Sequence, residues 1–308
     1  MTDKVLFTFW EPRESVIPYL ALCRQTWEKN LPDYSVVVLD YSNLDSYLGS
    51  DVYDIPLLSR LPLPMQKDAI SVAVMKEHGG VFMDLDTLVL RDLDPIVHML
   101  EKTQLVMFGS HMAFLAARPN TYALTLWLER IRENLAGLDA RANVPWDYLG
   151  NSPLVTMMDE IVNRSSLNRA QTKVIHRLEK FSTQSGWPPG PTRLVNWMCE
   201  GFLRRRKEFA FDTVYRKYLT SLDRKKYSYI LEAREYEGQH LGPEVQYLKY
   251  WFESDRDPGA VLDSNPILVG LHNSWTPTWY KNLSEKEVLE NRCPLSRTLV
   301  RILSSSSS

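Results

Sequence analysis

The sequence predicts an α/β fold, in which a mixed, mainly parallel sheet is flanked by helices. Short apolar runs alternate with segments whose apolar residues recur at helical spacing, an order typical of strands joined by crossover helices. One of the runs, Val36–Leu39, is continuously apolar, as expected for a strand that is buried on both faces of the sheet. The chain has 308 residues, 44% of them apolar, which is sufficient for one large domain with an ordinary core.

The elements of the first half alternate in type. In order, the patterns predict strand Lys4–Trp10, helix Pro18–Lys29 capped by Asn30, strand Ser35–Asp40, helix Gln66–His78 and strand Val81–Met83. Gly79 and Gly80 separate the last two, since glycine readily adopts the left-handed backbone conformation at a helix end. Further on, they predict a short helix starting at Asp94-Pro95, strands Leu105–Phe108 and His111–Ala116, and a helix Thr121–Ala136 with Asn120 as its cap and Gly137 beyond it.

Two acids follow the strand Val81–Met83. On an extended backbone Asp84 and Asp86 share one face, whereas Leu85 points back into the core. In open α/β sheets, ligands bind at the carboxyl ends of the strands, where these acids lie. Carboxylates suit Mg²⁺ or Mn²⁺, and a cation held by one or two of them keeps positions for a substrate's phosphates. The pair therefore indicates a nucleotide diphosphate site, although Asp-x-Asp also occurs in solvated turns.

Composition and missing motifs exclude several other functions. The formal net charge of −2 gives no indication of nucleic-acid binding. The phosphate-loop, dinucleotide-binding, zinc-protease and serine-hydrolase motifs are absent from the sequence. The three cysteines have no metal-ligand or disulfide spacing, which fits a reducing compartment. We expect a cytoplasmic protein, with no run of eighteen apolar residues to span a membrane.

One enzyme family shares three patterns with this chain, in Cys23–Tyr34, Lys67–Asp86 and His272–Trp279. The middle segment resembles the S-D … R … G-G-x-x-x-D-x-D block of family 32 glycosyltransferases. The first looks like the opening of their bacterial capsular-polysaccharide-synthesis branch, and the last is similar to the family's H-x-x-W-x-x-[S/T]-W element. Three matches in the same order are more specific than any one of them.

The resemblance implies a Rossmann-like GT-A fold with a more helical C-terminal half, and a retaining, metal-dependent transfer from a nucleotide sugar. It implies that Trp10 stacks on the donor base, Asp68 binds the base or ribose, Asp84 contacts ribose and metal, Asp86 ligates the metal, His272 closes the metal site, and Thr278 and Trp279 contact the diphosphate. Taken alone, Trp10 could equally be a packing residue, and a lone histidine is more often structural than a ligand.

The chain departs from the family at one position. Where the family often has arginine three residues after the helix aspartate, this chain has Ser71. Phosphate contacts on that side would then fall to Lys67 or to another basic residue.

Two basic segments indicate a peripheral contact with an anionic membrane. Residues 204–226 carry nine Lys or Arg against three acids, interleaved with aromatics, and residues 292–303 place arginines among apolar residues. A solvated charged face is the alternative for both. We expect a single domain over 1–303, with a nucleotide-sugar-binding core at 1–120, an acceptor-side helical extension at 121–303 and a flexible serine tail at 304–308.

The leading hypothesis is a hexosyltransferase that uses Mn²⁺ or Mg²⁺ and a UDP-sugar to extend a capsule or lipopolysaccharide glycan, whose acceptor is an oligosaccharide or lipid-linked glycan. One alternative is a nucleotidyltransferase that forms sugar nucleotides, but the basic, glycine-rich N-terminal loop that would cradle a triphosphate is missing. Another is a metal-dependent carbohydrate-binding protein without catalytic activity.

Overall fold

The computed structural model describes residues 4–49, 51–108, 111–138, 144–166, 219–221, 227–229, 235–236, 239–240, 242–253, 262 and 266–305. The predicted membrane segment 204–226 therefore lies outside the described residues except for one short strand.

The described strands form three sheets. They are β1 (Val5–Phe9), β2 (Ser35–Leu39), β3 (Gly80–Met83), β4 (Thr87–Val89), β5 (Leu105–Phe108), β6 (His111–Ala117), β7 (Leu219–Ser221), β8 (Tyr227–Tyr229), β9 (Glu235–Tyr236), β10 (Gln239–His240) and β11 (Leu268–Gly270). The main sheet has the order β2-β1-β3-β6-β5-β7, and the others are β4-β11-β8 and β10-β9. In the main sheet β1 pairs in parallel with β2 and β3, as β5 does with β7, whereas β6 is antiparallel to β3 and β5.

Helices cover both faces of this sheet. In the first half they are α1 (Pro18–Asn30), α2 (Ile55–Leu58), α3 (Leu63–His78), α4 (Asp94–Val97), α5 (Tyr122–Ala136) and α6 (Asn151–Ser166), with 3-10 turns at Arg13–Ser15, Leu44–Ser46 and His98–Glu101. The late helices are Pro243–Leu248, Thr278–Lys281, Glu285–Glu290 and Pro294–Ser304, with a π-helical turn at Lys249–Glu253. Of the described late residues, most are helical.

Alternation along the central strands builds two cores. Leu6 and Val81 belong to a buried cluster with α1 and the late helices, whereas their neighbours Phe7 and Phe82 belong to a cluster with α3 and α5. This arrangement confirms the predicted fold class, a mixed α/β sheet flanked by helices that fits a GT-A-type fold. The proposed internal division at residue 120 stays a prediction.

Several boundaries differ from the sequence prediction. Helix α3 begins at Leu63, three residues early, because Pro64 is tolerated in a first turn. Asn120 is not the cap of α5: it has a left-handed backbone with φ 52°, and the side chain of Thr121 accepts the hydrogen bond from Leu124 N–H. Strand β4 was not predicted, since it is short and pairs with residues far along the chain.

Gly79 ends α3 as predicted. Its φ is 66°, and an added Cβ would lie 2.5 Å from the Cδ atom of Pro119. Only glycine fits there without strain or a clash, because other residues rarely adopt this conformation. The close turn starts β3 directly at Gly80 and so fixes where the acids at its other end fall.

The C-terminal helix, Pro294–Ser304, does not offer the predicted membrane contact. Leu295, Leu299 and Ile302 are buried in the core, and of the apolar residues of this helix only Val300 is exposed, at 38%. The prediction for 292–303 was wrong because the apolar face of this helix packs against α1. Ser304 still belongs to the helix, and the carbonyl of Ser305 accepts a hydrogen bond from Lys29, so order extends into the serine tail.

None of the helices in the described ranges combines the length and apolar character needed to cross a bilayer.

Candidate active site

The paired acids lie in the turn between β3 and β4. Leu85 and Asp86 form a turn, in contrast to the predicted extended backbone, but Leu85 is buried as expected. Asp84 N–H donates to the carbonyl of Ala113 at 2.8 Å, which ties the turn to β6. The turn follows the carboxyl end of β3, which runs parallel to β1, so it shares an edge of the sheet with Trp10.

The late segment of the chain reaches Asp86 through the second sheet. Strand β11 pairs antiparallel with β4, and Gly270 is opposite Thr87. Just beyond, Leu271 N–H donates to the backbone carbonyl of Asp86 at 2.8 Å. Asn273 N–H donates to Oδ2 of the Asp86 carboxylate at 2.7 Å. The structure thus brings residues 271–273 to the acids although Asn273 and Asp86 are 187 residues apart in sequence.

Two buried tyrosines form hydrogen bonds with this late segment. The hydroxyl of Tyr19, on α1, donates to Oδ1 of Asn273 at 2.7 Å. The hydroxyl of Tyr247 lies 3.0 Å from Oγ1 of Thr276 and accepts from His272 N–H at 3.2 Å. Burial raises the pKa of both phenols, so both are neutral hydrogen-bonding groups near pH 7. Sequence analysis missed both tyrosines, because neither lies in a motif that suggests a role in the site.

Helix α1 holds the strand that follows the acids. Trp27 Nε1 donates to the carbonyl of Thr87 at 2.6 Å, and Asn30 Nδ2 donates to the carbonyl of Val89 at 2.8 Å. Val89 N–H donates to Oγ1 of Thr26 at 3.0 Å. These side chains satisfy backbone groups of β4 that its partner β11 does not use. The segment Cys23–Tyr34 therefore holds the strand that follows the acids, although the segment and the acids are far apart in sequence.

Lys67 joins two of the predicted donor-binding acids. Its ammonium lies 2.8 Å from Oδ1 of Asp68 and 2.9 Å from Oδ1 of Asp84. It also donates to the carbonyl of Met112 at 3.3 Å. Burial lowers the pKa of Lys67, but the two carboxylates outweigh that effect and raise it above its usual value, so the side chain stays charged.

Asp68 is enclosed more tightly than the other acids. Its side chain is 5% exposed, and a Cβ on Gly150 would lie 2.0 Å from its Oδ2 atom. Burial raises the pKa of Asp68, and the charge of Lys67 offsets part of that effect. Ser71, one turn further along α3, is fully buried and donates to the backbone carbonyl of Asp68 at 2.8 Å. An arginine could not occupy this position without repacking the core.

Asp86 has the most unusual electrostatics of the site. Burial, with the nearby charge of Asp84 as the second cause, raises its pKa to about 7, although Asn273 N–H opposes the shift. The positive charge of Lys67 acts on Asp86 too, but it does not outweigh burial and the charge of Asp84. A cation bound between the two acids would supply further positive charge.

The other predicted residues lie around this centre. Trp10 is half-buried directly after β1. Thr278 is exposed at the start of its short helix, and Trp279 is 49% exposed, with ring contacts to Phe252 and Tyr280. The ring of His272 lies against that of Trp275, with a centroid separation of 4.1 Å.

The predicted three-ligand metal site is not assembled in this structure. Within the part of the chain that the structure describes, no three side chains of His, Cys, Asp or Glu lie close enough together to hold a metal ion. The His272 ring instead packs against the rings of Tyr247 and Trp275, which also contact each other. The two carboxylates alone still fit Mg²⁺ or Mn²⁺, which commonly take one or two protein carboxylates and complete their shell with phosphates and water.

Comparison with known proteins supports a glycosyltransferase-type region here. Residues 18–101 match the family model described as "Glycosyltransferase sugar-binding region containing DXD motif". The match includes α1, the Lys67–Asp68 pair and both acids of the turn, and it leaves the later part of the chain uncovered. It supports the coarse part of the resemblance to glycosyltransferases, whereas membership of family 32 and of its capsular branch stays a prediction.

Among solved structures, one similar chain is "PaToxG Glycosyltransferase", with a TM-score of 0.40 and 13% sequence identity over 70% of this chain and 88% of that one. No curated protein matches the chain.

Proposed function

We propose that this protein is a retaining, metal-dependent glycosyltransferase. It moves a hexose from a UDP-sugar, such as UDP-galactose or UDP-glucose, to a glycan acceptor in bacterial capsule or lipopolysaccharide synthesis. The observation that carries the proposal is the pair of hydrogen bonds by which residues 271–273 hold Asp86. Asp86 itself lies inside the region that matches the sugar-binding family model.

That attachment supports a functional site over an accidental Asp-x-Asp. A solvated pair of acids in a turn needs no support from elsewhere in the chain. Here Asp86 is held at its backbone carbonyl and at its carboxylate, and the supporting Asn273 is itself held by Tyr19. Two elements that are remote in sequence have thus been arranged around a carboxylate whose ionised form is disfavoured without a cation.

In the proposed site Asp84 and Asp86 hold Mn²⁺ or Mg²⁺, and His272 lies on the segment that reaches them. When bound there, the cation would neutralise part of the negative charge on the diphosphate. Trp10 and Asp68 bind the base and ribose, whereas Thr278 and Trp279 bind the diphosphate from the other side. The hydroxyl or indole N–H of these last two is a preorganised donor for developing negative charge.

The test is donor turnover with a matched acid variant as the control. Purified protein is incubated with Mn²⁺ and a panel of UDP-sugars, and release of UDP is measured. We expect release from one donor, and a loss of at least 100-fold in Asp86→Asn, because removal of a group that stabilises transition-state charge typically costs about 10²–10³ in kcat. Asp45→Asn, which changes an exposed acid in a 3-10 turn, should retain the activity.

Other outcomes separate the alternatives. Formation of a UDP-sugar from UTP and a sugar 1-phosphate would make the protein a nucleotidyltransferase. Tight glycan binding without turnover of any donor would make it a carbohydrate-binding protein. Equal UDP release by wild type and Asp86→Asn would remove the paired acids from the mechanism.

We also propose that the protein reaches its glycan acceptor at an anionic membrane surface. If the basic segment 204–226 carries this contact, the protein should sediment with liposomes containing phosphatidylglycerol and should leave them at high salt. Absence from anionic liposomes at low salt would refute it.

A further inference from the structure

We propose that Lys67 is a positioning residue, which fixes one oxygen of Asp84 so that the other oxygen faces the donor and the cation. The inference rests on the proposed function and deepens it. It also replaces the sequence-based suggestion that Lys67 substitutes for the family's arginine as a phosphate contact.

The ammonium of Lys67 has as many oxygen neighbours as it has N–H groups. A lysine carries three N–H groups, and here three oxygens surround the nitrogen: Oδ1 of Asp68 at 2.8 Å, Oδ1 of Asp84 at 2.9 Å and the carbonyl of Met112 at 3.3 Å. The side chain is 14% exposed. A phosphate could be contacted only if one of these partners were given up, so the geometry favours the acids as its targets.

The three partners come from three different elements. Asp68 lies on α3, Met112 on β6 and Asp84 in the turn after β3. Since Asp68 and Met112 belong to regular elements, they anchor the ammonium and leave Asp84 as the group that is positioned by it. The side chain of Asp84 is 24% exposed, against 5% for Asp68, so Asp84 is the partner that also faces solvent.

The charges of the site agree with this role. Asp68, Asp84 and Asp86 with Lys67 leave a net of two negative charges when all are ionised, which one divalent cation neutralises. Without the positive charge of Lys67 the three carboxylates would attract the cation more strongly, but Asp84 would be free to rotate. Lys67 therefore lowers the affinity for the cation somewhat and fixes the orientation of Asp84.

The test is Lys67→Met, with kinetic constants and Mn²⁺ affinity measured separately. Methionine has a similar length and no charge. We expect kcat for UDP release to fall at least tenfold, the donor KM to change less than threefold, and Mn²⁺ to bind as tightly as in wild type or up to about tenfold more tightly, because a neighbouring positive charge is gone. Lys76→Met, on the same helix and paired with Glu77, is the control that should leave all three values unchanged.

The opposite pattern overturns the proposal. A rise of tenfold or more in the donor KM with an unchanged kcat would identify Lys67 as a phosphate contact. Unchanged constants would make it a structural ion pair, and weakened Mn²⁺ binding in a folded variant would contradict the positioning role. If Lys67→Met does not fold because Asp68 is left charged and buried, Lys67→Met with Asp68→Asn is compared with Asp68→Asn alone, and the same tenfold fall in kcat is expected.

Failure of this inference differs from failure of the proposed function. If wild-type protein neither binds Mn²⁺ nor turns over a UDP-sugar, the proposed function fails. If wild type is active and Lys67→Met is kinetically normal, only the positioning role fails.

Discussion

Replacing Asp86 by asparagine should stabilise the metal-free protein, whereas replacing Asp84 should destabilise it. The two acids are one residue apart but have different partners: Asp84 lies 2.9 Å from the Lys67 ammonium, and Asp86 receives one backbone N–H bond. A buried carboxylate without a counter-charge opposes folding, and a carboxylate paired with a buried ammonium supports it.

The size of the effect follows from the pKa of Asp86. The folded value is about 7 and the ordinary value 3.8, so ionisation of Asp86 costs the folded state about 4 kcal/mol at pH 8. The pKa of about 7 already includes the hydrogen bond from Asn273 N–H, and asparagine offers that donor a neutral acceptor, as protonated Asp86 does. The expected gain at pH 8 is therefore about 4 kcal/mol, which corresponds to a rise in Tm of about 8 °C for a chain of this size.

Ionised Asp86 destabilises the folded state at neutral and alkaline pH, and this destabilisation disappears in acid. Because the folded pKa lies above the unfolded one, the destabilisation by Asp86 is absent below about pH 4, grows as the pH rises and is complete above about pH 7. Asp86→Asn should therefore match wild type at pH 4 and exceed it at pH 8. Asp84→Asn removes one of the two carboxylates that Lys67 contacts, and we expect it to cost about 1–3 kcal/mol.

The assay is thermal and urea unfolding in EDTA at pH 4, 6 and 8. The reasoning is refuted if Asp86→Asn is less stable than wild type at pH 8, or if its advantage is the same at all three pH values. It is also refuted if both asparagine variants shift stability in the same direction.

Three further substitutions test the support of the site. Gly150→Ala places a Cβ 2.0 Å from Oδ2 of Asp68, so we expect the free energy of unfolding in urea to fall by at least 2 kcal/mol and donor binding by calorimetry to weaken. Wild-type stability and wild-type donor affinity in this variant would show that Gly150 does not enclose Asp68. Tyr19→Phe removes the donor to Oδ1 of Asn273 and should cost about 1 kcal/mol and several-fold in UDP release, whereas a change in stability alone would make Tyr19 a core residue only. Trp27→Phe leaves the carbonyl of Thr87 without its indole donor and should lower the free energy of unfolding by about 2–3 kcal/mol. The same change at Trp146, which is 67% exposed, should lower it by less than about 0.5 kcal/mol. Equal losses in the two variants would contradict the role of α1 in holding β4.

Local patterns predicted the main elements of the first half well. Helix α1 and strand β2 have periods and apolar content that depend on their own residues, and Gly79 marks the end of α3 through its own backbone conformation. The cap of α5 was assigned one residue too early, because Asn and Thr are both good capping residues and only the backbone shows which one is used.

Long-range pairing could not be predicted in the same way. Strand β4 has three residues, and its partner β11 comes nearly 180 residues later, so nothing in its own sequence identifies it as a strand. The contacts of Tyr19 and Trp27 with the site depend on that pairing and were missed for the same reason. The resemblance supplied what local patterns lacked, since it grouped Cys23–Tyr34 with the acids and with His272–Trp279 before any contact among them was visible.

The apolar face of the C-terminal helix shows a limit of composition. Arginines among leucines suit a membrane surface and a packed helix equally, and Leu295 and Leu299 are buried against the protein core. Which surface covers an amphipathic helix is decided by its neighbours rather than by its own sequence.

The central claim is that the paired acids hold a divalent cation on which the nucleotide diphosphate depends. Calorimetric titration of Mn²⁺ at pH 7.5, with and without UDP, tests it most directly. We predict one Mn²⁺ site that UDP tightens at least tenfold and that Asp86→Asn abolishes, while Asp45→Asn leaves it intact. Mn²⁺ binding that is unchanged in Asp86→Asn, or UDP binding that is indifferent to Mn²⁺, would contradict the account.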